Sequence, residues 1–283
     1  LIAETALLRF TTRNLGDDIQ SFAVRQFINS DHTLDRDCLD DGPEFQNLVL
    51  FGWLLQSERW PPPAISKVHP LAIHIADGSR ELMSRNMEWW KRLETTIPCR
   101  DASSAEFFLR HGVSAIFEGC STLTLKRGEP QQSGTVLFVD AAKTTEFWPR
   151  VDFPKVLQRT HKIPGMQRAN QEFRRQAVFD ALVAYQQAEL VVTSRLHVML
   201  PCLAFGTPVL YIKDDLFNRP GNCTRILDYL PHVEVWDGHR SYSTGGRLPI
   251  NFRPDALTHH VTRRLTDLGK LLNSAPDTSQ NAE

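Results

Sequence analysis

The stretch Leu190-Val-Val-Thr-Ser-Arg-Leu-His-Val-Met-Leu-Pro-Cys-Leu-Ala-Phe-Gly-Thr-Pro-Val209 decides how the chain is read. Leu190–Thr193 is an apolar run suited to a buried strand. Leu196–Phe205 has helical length, with Thr193 or Ser194 as the expected cap. Val209–Ile212 is the next strand. Strands alternating with helices build parallel sheets. Ligands of such sheets bind beyond the carboxyl ends of the strands, and free N–H groups at a helix start attract anions. Arg195 and His197 fall at this junction. An arginine offers a planar fork to carboxylate or phosphate, and a histidine moves a proton near neutral pH. The plainer alternative is a surface arginine and a core histidine that fixes the turn.

The same alternation extends outward. Strands are expected at 5–12, 48–51, 71–75, 114–117 and 136–139, most of them continuous apolar runs covered on both faces. Helices are expected at 18–28, 79–93, 103–111, 168–187, 222–230 and 254–272. The polar, turn-rich stretch 126–134 separates two α/β halves. The organisation expected is therefore a first domain over 1–126, a second over 127–273 with a C-terminal helix, and a polar tail over 274–283. Residues 30–66 show no clear pattern, and Trp60-Pro61-Pro62-Pro63 is expected as an extended surface segment.

Composition fits this reading. With 283 residues, two domains of roughly 150 residues are expected. At 41% hydrophobic and 23% charged residues, a disordered or fibrous chain is excluded. A net charge of −1 argues against a protein that coats nucleic acid. No apolar run reaches the ~20 residues of a membrane span. The five cysteines are scattered, odd in number and without a C-x-x-C pair. They point away from disulfides and structural zinc, and towards the reducing cytoplasm. Asn222-Cys223-Thr224 fits the glycosylation pattern and keeps a secretory lumen as the alternative. The chain begins at Leu1, which leaves an upstream leader or anchor open.

Three further segments carry chemistry. Cys99-Arg100-Asp101-Ala102-Ser103 places an arginine between a strand-like run and a helix that Asp101 or Ser103 could cap. Asn14-Leu15-Gly16-Asp17-Asp18-Ile19-Gln20 forms the first strand-to-helix turn, where Gly16 permits close approach and Asp17 is a cap or a base. It is neither a dinucleotide fingerprint nor a Walker A loop. Phe117-Glu118-Gly119-Cys120-Ser121-Thr122-Leu123-Thr124 suits a loop facing a ligand. Cys120 has no histidine at a recognisable spacing and reads as an inert thiol. His74 and Asp140 end strands and either line a cleft or serve packing. His259 and His260 are adjacent on a helix and poor joint metal ligands, so no metal site is expected.

Together these residues resemble the polysaccharide pyruvyl transferase family. The resemblance rests on Asn14–Ser21, on Cys99-Arg100-Asp101 with Ser103, on Gly119–Thr124, and on Thr193-Ser194-Arg195-Leu196-His197 running into Pro201–Val209. It implies two Rossmann-like domains facing a cleft, in the manner of GT-B glycosyltransferases. It implies transfer of the enolpyruvyl unit of phosphoenolpyruvate, a co-substrate, onto two hydroxyls of a glycan or lipid-linked sugar. The product is a pyruvate ketal, phosphate is released, and no cofactor is needed. Arg195, Leu196 and Ser194 would hold phosphoenolpyruvate, with Arg100 as a second contact. His197 would be the acid and base, and Asp17 a weaker candidate for the acceptor side. Asn14, Gly16, His74, Gly119 and Ser121 would face the acceptor. The rival readings are a glycosyltransferase using a nucleotide sugar on the same architecture, and a carbohydrate-binding protein without turnover.

Overall fold

The computed structural model describes residues 3–41, 43–54, 59–62, 65–129, 133–141, 155–213, 224–236 and 254–273. They form two parallel sheets with helices packed around them. The first sheet contains β1 (Ala3–Arg9), β2 (His32–Asp35), β3 (Phe45–Trp53), β4 (Ile65–His74), β5 (Ile97–Cys99) and β6 (Ala115–Phe117). The second contains β7 (Thr135–Val139), β8 (Lys155–Arg159), β9 (Leu190–Thr193), β10 (Val209–Ile212) and β11 (Glu234–Trp236). The helices are α1 (Leu15–Arg25), α2 (Arg80–Arg85), α3 (Met87–Lys91), α4 (Ala102–Arg110), α5 (Gln171–Gln187), α6 (Leu196–Phe205), α7 (Thr224–Leu227) and α8 (Asp255–Asn273).

The strand orders are β2-β1-β3-β4-β5-β6 and β11-β10-β9-β7-β8. Read outward from its first strand, each sheet has the same doubly wound arrangement. The order reverses between β1 and β3 in one and between β7 and β9 in the other. Such reversal points open a crevice at the carboxyl ends of the strands. Asn14–Gly16 follows β1. Asp140 follows β7, and Thr193–Arg195 ends and follows β9. The sequence elements singled out for chemistry thus flank the two reversal points.

Local chemistry explains the helices. Asn14 caps α1, its side chain accepting from Gly16 N at 3.3 Å. Asp101 caps α4 by accepting from Ser104 N at 2.9 Å, and Asn170 caps α5 by accepting from Phe173 N at 2.8 Å. The cap position of α6 is Arg195 rather than Thr193 or Ser194. Thr193 Oγ1 instead accepts from Arg195 N at 3.0 Å, and Ser194 Oγ donates to Asp140 O at 3.1 Å. Both hydroxyls fix the approach to the helix.

Several expectations are corrected. The helix expected over 79–93 is two short helices. They break at Asn86, whose side chain donates back to Leu82 O at 2.9 Å. Trp60 is not a surface residue: it is 8% exposed and stacks on Trp90 at 5.6 Å. The strands β2, β8 and β11 were not expected. They are short, lie at sheet edges and lack a continuous apolar run, as β8 shows with four of its five residues exposed. Asn222, Cys223 and residues 274–283 lie outside the described residues. Cys38, Cys99, Cys120 and Cys202 are free thiols. Among the described residues no helix is long and apolar enough to cross a membrane.

Two helices join the halves. α1 follows the first strand, yet its Leu15, Ile19 and Ala23 sit in the core of the second sheet. α8 follows the second sheet, yet its Val261 and Leu265 sit in the core of the first. Arg174 of α5 clamps Asp18 of α1 with two bonds of 2.8 Å. Burial raises the Asp18 carboxyl to about 6 despite the arginine.

Candidate active site

Arg100 leaves the end of β5 and turns inward, 2% exposed. Its backbone is held on both sides, N–H to Ile73 O at 2.8 Å and carbonyl to the Tyr229 hydroxyl at 2.5 Å. Its Nη1 donates to Gln20 Oε1 and to His197 Nε2, each at 3.4 Å. Its Nε is buried without a hydrogen-bond partner. Among the described residues Arg100 forms no ion pair. Asp101 feels its charge but is committed elsewhere, to His74 Nδ1 at 2.6 Å and to Ser104 N and Oγ. Burial would raise the Asp101 carboxyl, but His74 and Arg100 outweigh it and hold it below the usual carboxylate range. A buried cation without a counter-ion is costly, which singles Arg100 out among the buried arginines.

His197 is the second residue of α6 and is 9% exposed. An arginine can only donate, so the contact with Arg100 assigns Nε2 as acceptor and leaves the ring hydrogen on Nδ1. Nδ1 faces the start of α1: a methyl on Gly16 would lie 2.9 Å from it. Residue 16 is therefore a glycine because the imidazole occupies the space of a side chain. Cys120 Sγ lies 3.8 Å from Nε2 and accepts from Gln20 Nε2 at 3.6 Å and Thr122 Oγ1 at 3.2 Å. The sequence offered no histidine partner for Cys120; the fold supplies His197. Gln20 was also missed. Its position on the Gly16 face of α1, one turn on, was the only available signal.

A second group stands at the reversal point of the second sheet. Arg195 is partly exposed and pairs through Nε with Asp140 Oδ2 at 2.9 Å. Asp140 also accepts from the Thr160 hydroxyl at 2.5 Å and from His161 N at 3.1 Å. Burial opposes its charge, but these donors and Arg195 hold the carboxyl below its ordinary value. Ser194 braces the Asp140 carbonyl, and Leu196 is buried in the second core. His161 behind this group is buried against the Tyr185 hydroxyl at 2.5 Å, and burial pushes it down to about 4.

Thus Arg100, His197, Gly16 and its cap Asn14 come together, with Arg195 and Ser194 two and three residues before His197. The remaining candidates are placed differently. His74 is 1% exposed behind Asp101. Gly119 has φ +105°, and a methyl there would lie 3.3 Å from Leu257 of α8. Ser121 is fully buried. Asp17 is 4% exposed, accepts from the Thr12 hydroxyl at 2.9 Å and lies 3.5 Å from Arg36. Arg36 was not singled out by sequence reading; it is buried between Asp17, Asp37 and the ring of Phe10. Among the described residues no three His, Cys, Asp or Glu side chains cluster as metal ligands.

Two doubly wound parallel sheets define the class, an α/β protein, and a buried guanidinium that has no ion pair among the described residues lies beside a histidine where the halves meet. The comparisons make it particular. Residues 14–215, well over half the chain, match the family described as polysaccharide pyruvyl transferase, and the chain belongs to that family of transferases. No curated protein is similar to it in sequence. Among solved structures, KP1_0663 from Klebsiella pneumoniae subsp. pneumoniae NTUH-K2044, a protein of uncharacterised function, shares the fold. Its identity is 13% and its TM-score 0.50, over 81% of this chain and 89% of that one. The wall teichoic acid polymerase TagF aligns at 8% identity and a TM-score of 0.42, over 95% of this chain and 88% of that one.

Proposed function

We propose that the chain transfers the enolpyruvyl unit of phosphoenolpyruvate onto two hydroxyls of a glycan or lipid-linked sugar, forming a pyruvate ketal and releasing phosphate. In this reading the two halves are Rossmann-like domains facing a cleft, as in GT-B enzymes. The observation that carries the donor is Arg100, a buried guanidinium with no carboxylate of its own. Phosphoenolpyruvate brings a carboxylate and a phosphate, close to three negative charges. Arg100 takes one group, and Arg195, released from Asp140, takes the other. Ser194 and Leu196 set the backbone that aims Arg195.

The chemistry then balances with one proton-moving side chain. His197 enters the step as the imidazolium, its Nε2 having taken a proton from solvent as Arg100 turns to the anion; it gives that proton to the enol methylene carbon, leaving cationic character on the carbon that bears phosphate. A sugar hydroxyl attacks that carbon and returns its proton to His197. The bond to phosphate breaks, a second hydroxyl closes the ring on the same carbon, and its proton leaves with the phosphate. Asn14 and Gly16 shape the acceptor side around the imidazole. Asp17 serves from behind the turn, through Thr12 and Arg36, and His74 from behind Arg100, through Asp101.

The test is phosphate release from phosphoenolpyruvate with galactosides, glucosides and N-acetylmannosamine-containing glycans. Acceptor-dependent release is expected. Arg195→Ala should raise the KM for phosphoenolpyruvate, and His197→Ala should lower turnover roughly 10²–10⁴-fold with the fold intact. No release with any acceptor, together with no thermal stabilisation by phosphoenolpyruvate, would refute the donor assignment.

A further inference from the structure

A groove of about 860 Å³ lies between the amino-terminal half of β4, the end of α3 and α8. None of Arg100, Arg195 or His197 lines it. Lys67, Arg92 and Arg263 do, and all three are exposed. Among the described residues they form no ion pair. Among the described residues that line it, Asp267 is the acid without a basic partner, because Glu118 is taken by Arg264. Three unpaired cations against one unpaired acid is a local excess in a chain of net charge −1. The rest of the lining mixes neutral polar side chains (His69, Thr95, Thr96 and His260) with an apolar part that includes Leu93, Leu268 and the half-buried Trp89. Trp89 is braced by Trp60 at 4.8 Å and Trp90 at 5.1 Å, which makes it a rigid platform. A concave, cationic surface with an aromatic platform suits an anionic sugar chain: carboxylates meet the cations, and the C–H face of a ring packs on the indole.

Resting on the reaction proposed above, we propose that this groove binds glycan that already carries pyruvate ketals. Each turnover converts a neutral sugar into one with a carboxylate and a methyl on the same carbon. The groove offers cations and apolar surface side by side for that pair. Glu118 lines the groove, and Cys120, two residues on, touches His197. A completed repeat held in the groove would therefore keep the next repeat of the same chain close to the site.

Titration calorimetry tests this with three probes: an oligosaccharide bearing pyruvate ketals, the same oligosaccharide stripped of them by mild acid, and its carboxyl methyl ester. The ketal-bearing probe should bind about tenfold or more tighter than the other two, and less tightly in high salt. Arg92→Ala/Arg263→Ala should lose about tenfold in affinity, Arg92→Lys/Arg263→Lys should keep most of it, and Arg110→Ala, on the exposed face of α4 outside the groove, should leave it unchanged. Equal binding of the stripped or esterified probe, or full affinity in the double alanine variant, overturns the proposal. So does capture by anionic phospholipid vesicles through the same arginines in preference to the glycan. A chain that binds the ketal-bearing probe as expected, but releases no phosphate from phosphoenolpyruvate, overturns the proposed reaction and not the groove.

Discussion

Gly16→Ala puts the closest contact of the candidate site to the test. The added methyl would lie 2.9 Å from His197 Nδ1, 3.1 Å from His197 Cβ and 3.3 Å from Asn14 Oδ1. In an open helix the same change would stabilise by up to about 1 kcal/mol. Overpacking of a buried position typically costs about 1–3 kcal/mol. The net expected is a loss of up to about 2 kcal/mol, a fall of a few degrees in melting temperature. The effect on catalysis is larger, because a displacement near 1 Å in a reacting group costs about 10²-fold. Turnover should therefore fall about a hundredfold while the protein stays folded. A double-mutant cycle isolates the cause. In a His197→Ala background the methyl no longer meets the imidazole, and the looser approaches of 3.1 Å to Cβ and 3.3 Å to Asn14 Oδ1 remain. Gly16→Ala should then be close to neutral, giving a coupling of about 1–2 kcal/mol. Thermal melts of the four proteins and phosphate-release rates are the assays. If Gly16→Ala destabilises equally in both backgrounds, the imidazole is not what excludes a side chain at residue 16, and the reasoning fails.

Two further predictions concern stability alone. His161 is buried with its pKa depressed to about 4, so its contribution is complete above pH 6.5 and is lost as the pH falls towards 4. Asp18, raised to about 6, acts in the opposite sense: the stability it gives is present below about pH 4 and lost as the pH rises through 6. Between pH 7 and 4.5, His161→Gln should therefore lose about 2–3 kcal/mol less than the wild type in urea unfolding, and an unchanged pH slope would contradict this. Gly269→Ala would place a methyl 2.3 Å from the Phe27 carbonyl oxygen, where α8 docks on the first half. A net loss of about 1–2 kcal/mol is expected after the helix-propensity gain, and a raised melting temperature would show that α8 does not pack there.

The readable parts of this molecule are those fixed by local chemistry. The bounds of β9, α6 and β10 follow from apolar runs whose residues are all buried. Asn14, Asp101 and Arg195 were visible because they stand where strands end and helices begin. What the sequence hid depends on contacts far apart along the chain. Gln20 reaches Cys120 across 100 residues, and Cys120 reaches His197 across 77. No local spacing encodes such pairs. The exchange of helices was hidden for the same reason: an apolar stripe on α1 or α8 shows that a face is buried, not which sheet buries it.

The same limit governs how the arginines are ranked. By position, Arg195 and Arg100 look alike, each just past a strand and next to a helix start. The fold separates them by their partners. Arg36, Arg174 and Arg195 each have a carboxylate within 3.5 Å, from Asp17 and Asp37, Asp18 and Asp140 respectively. Arg100 is as deeply buried as Arg36 and has only an amide and an imidazole. A paired arginine must give up its partner before it can hold a ligand; an unpaired buried one gains from the first anion that arrives. On the reaction proposed above, Arg100 is therefore expected to be the first anion contact, and Arg195, held on Asp140, to engage only once the ligand is there.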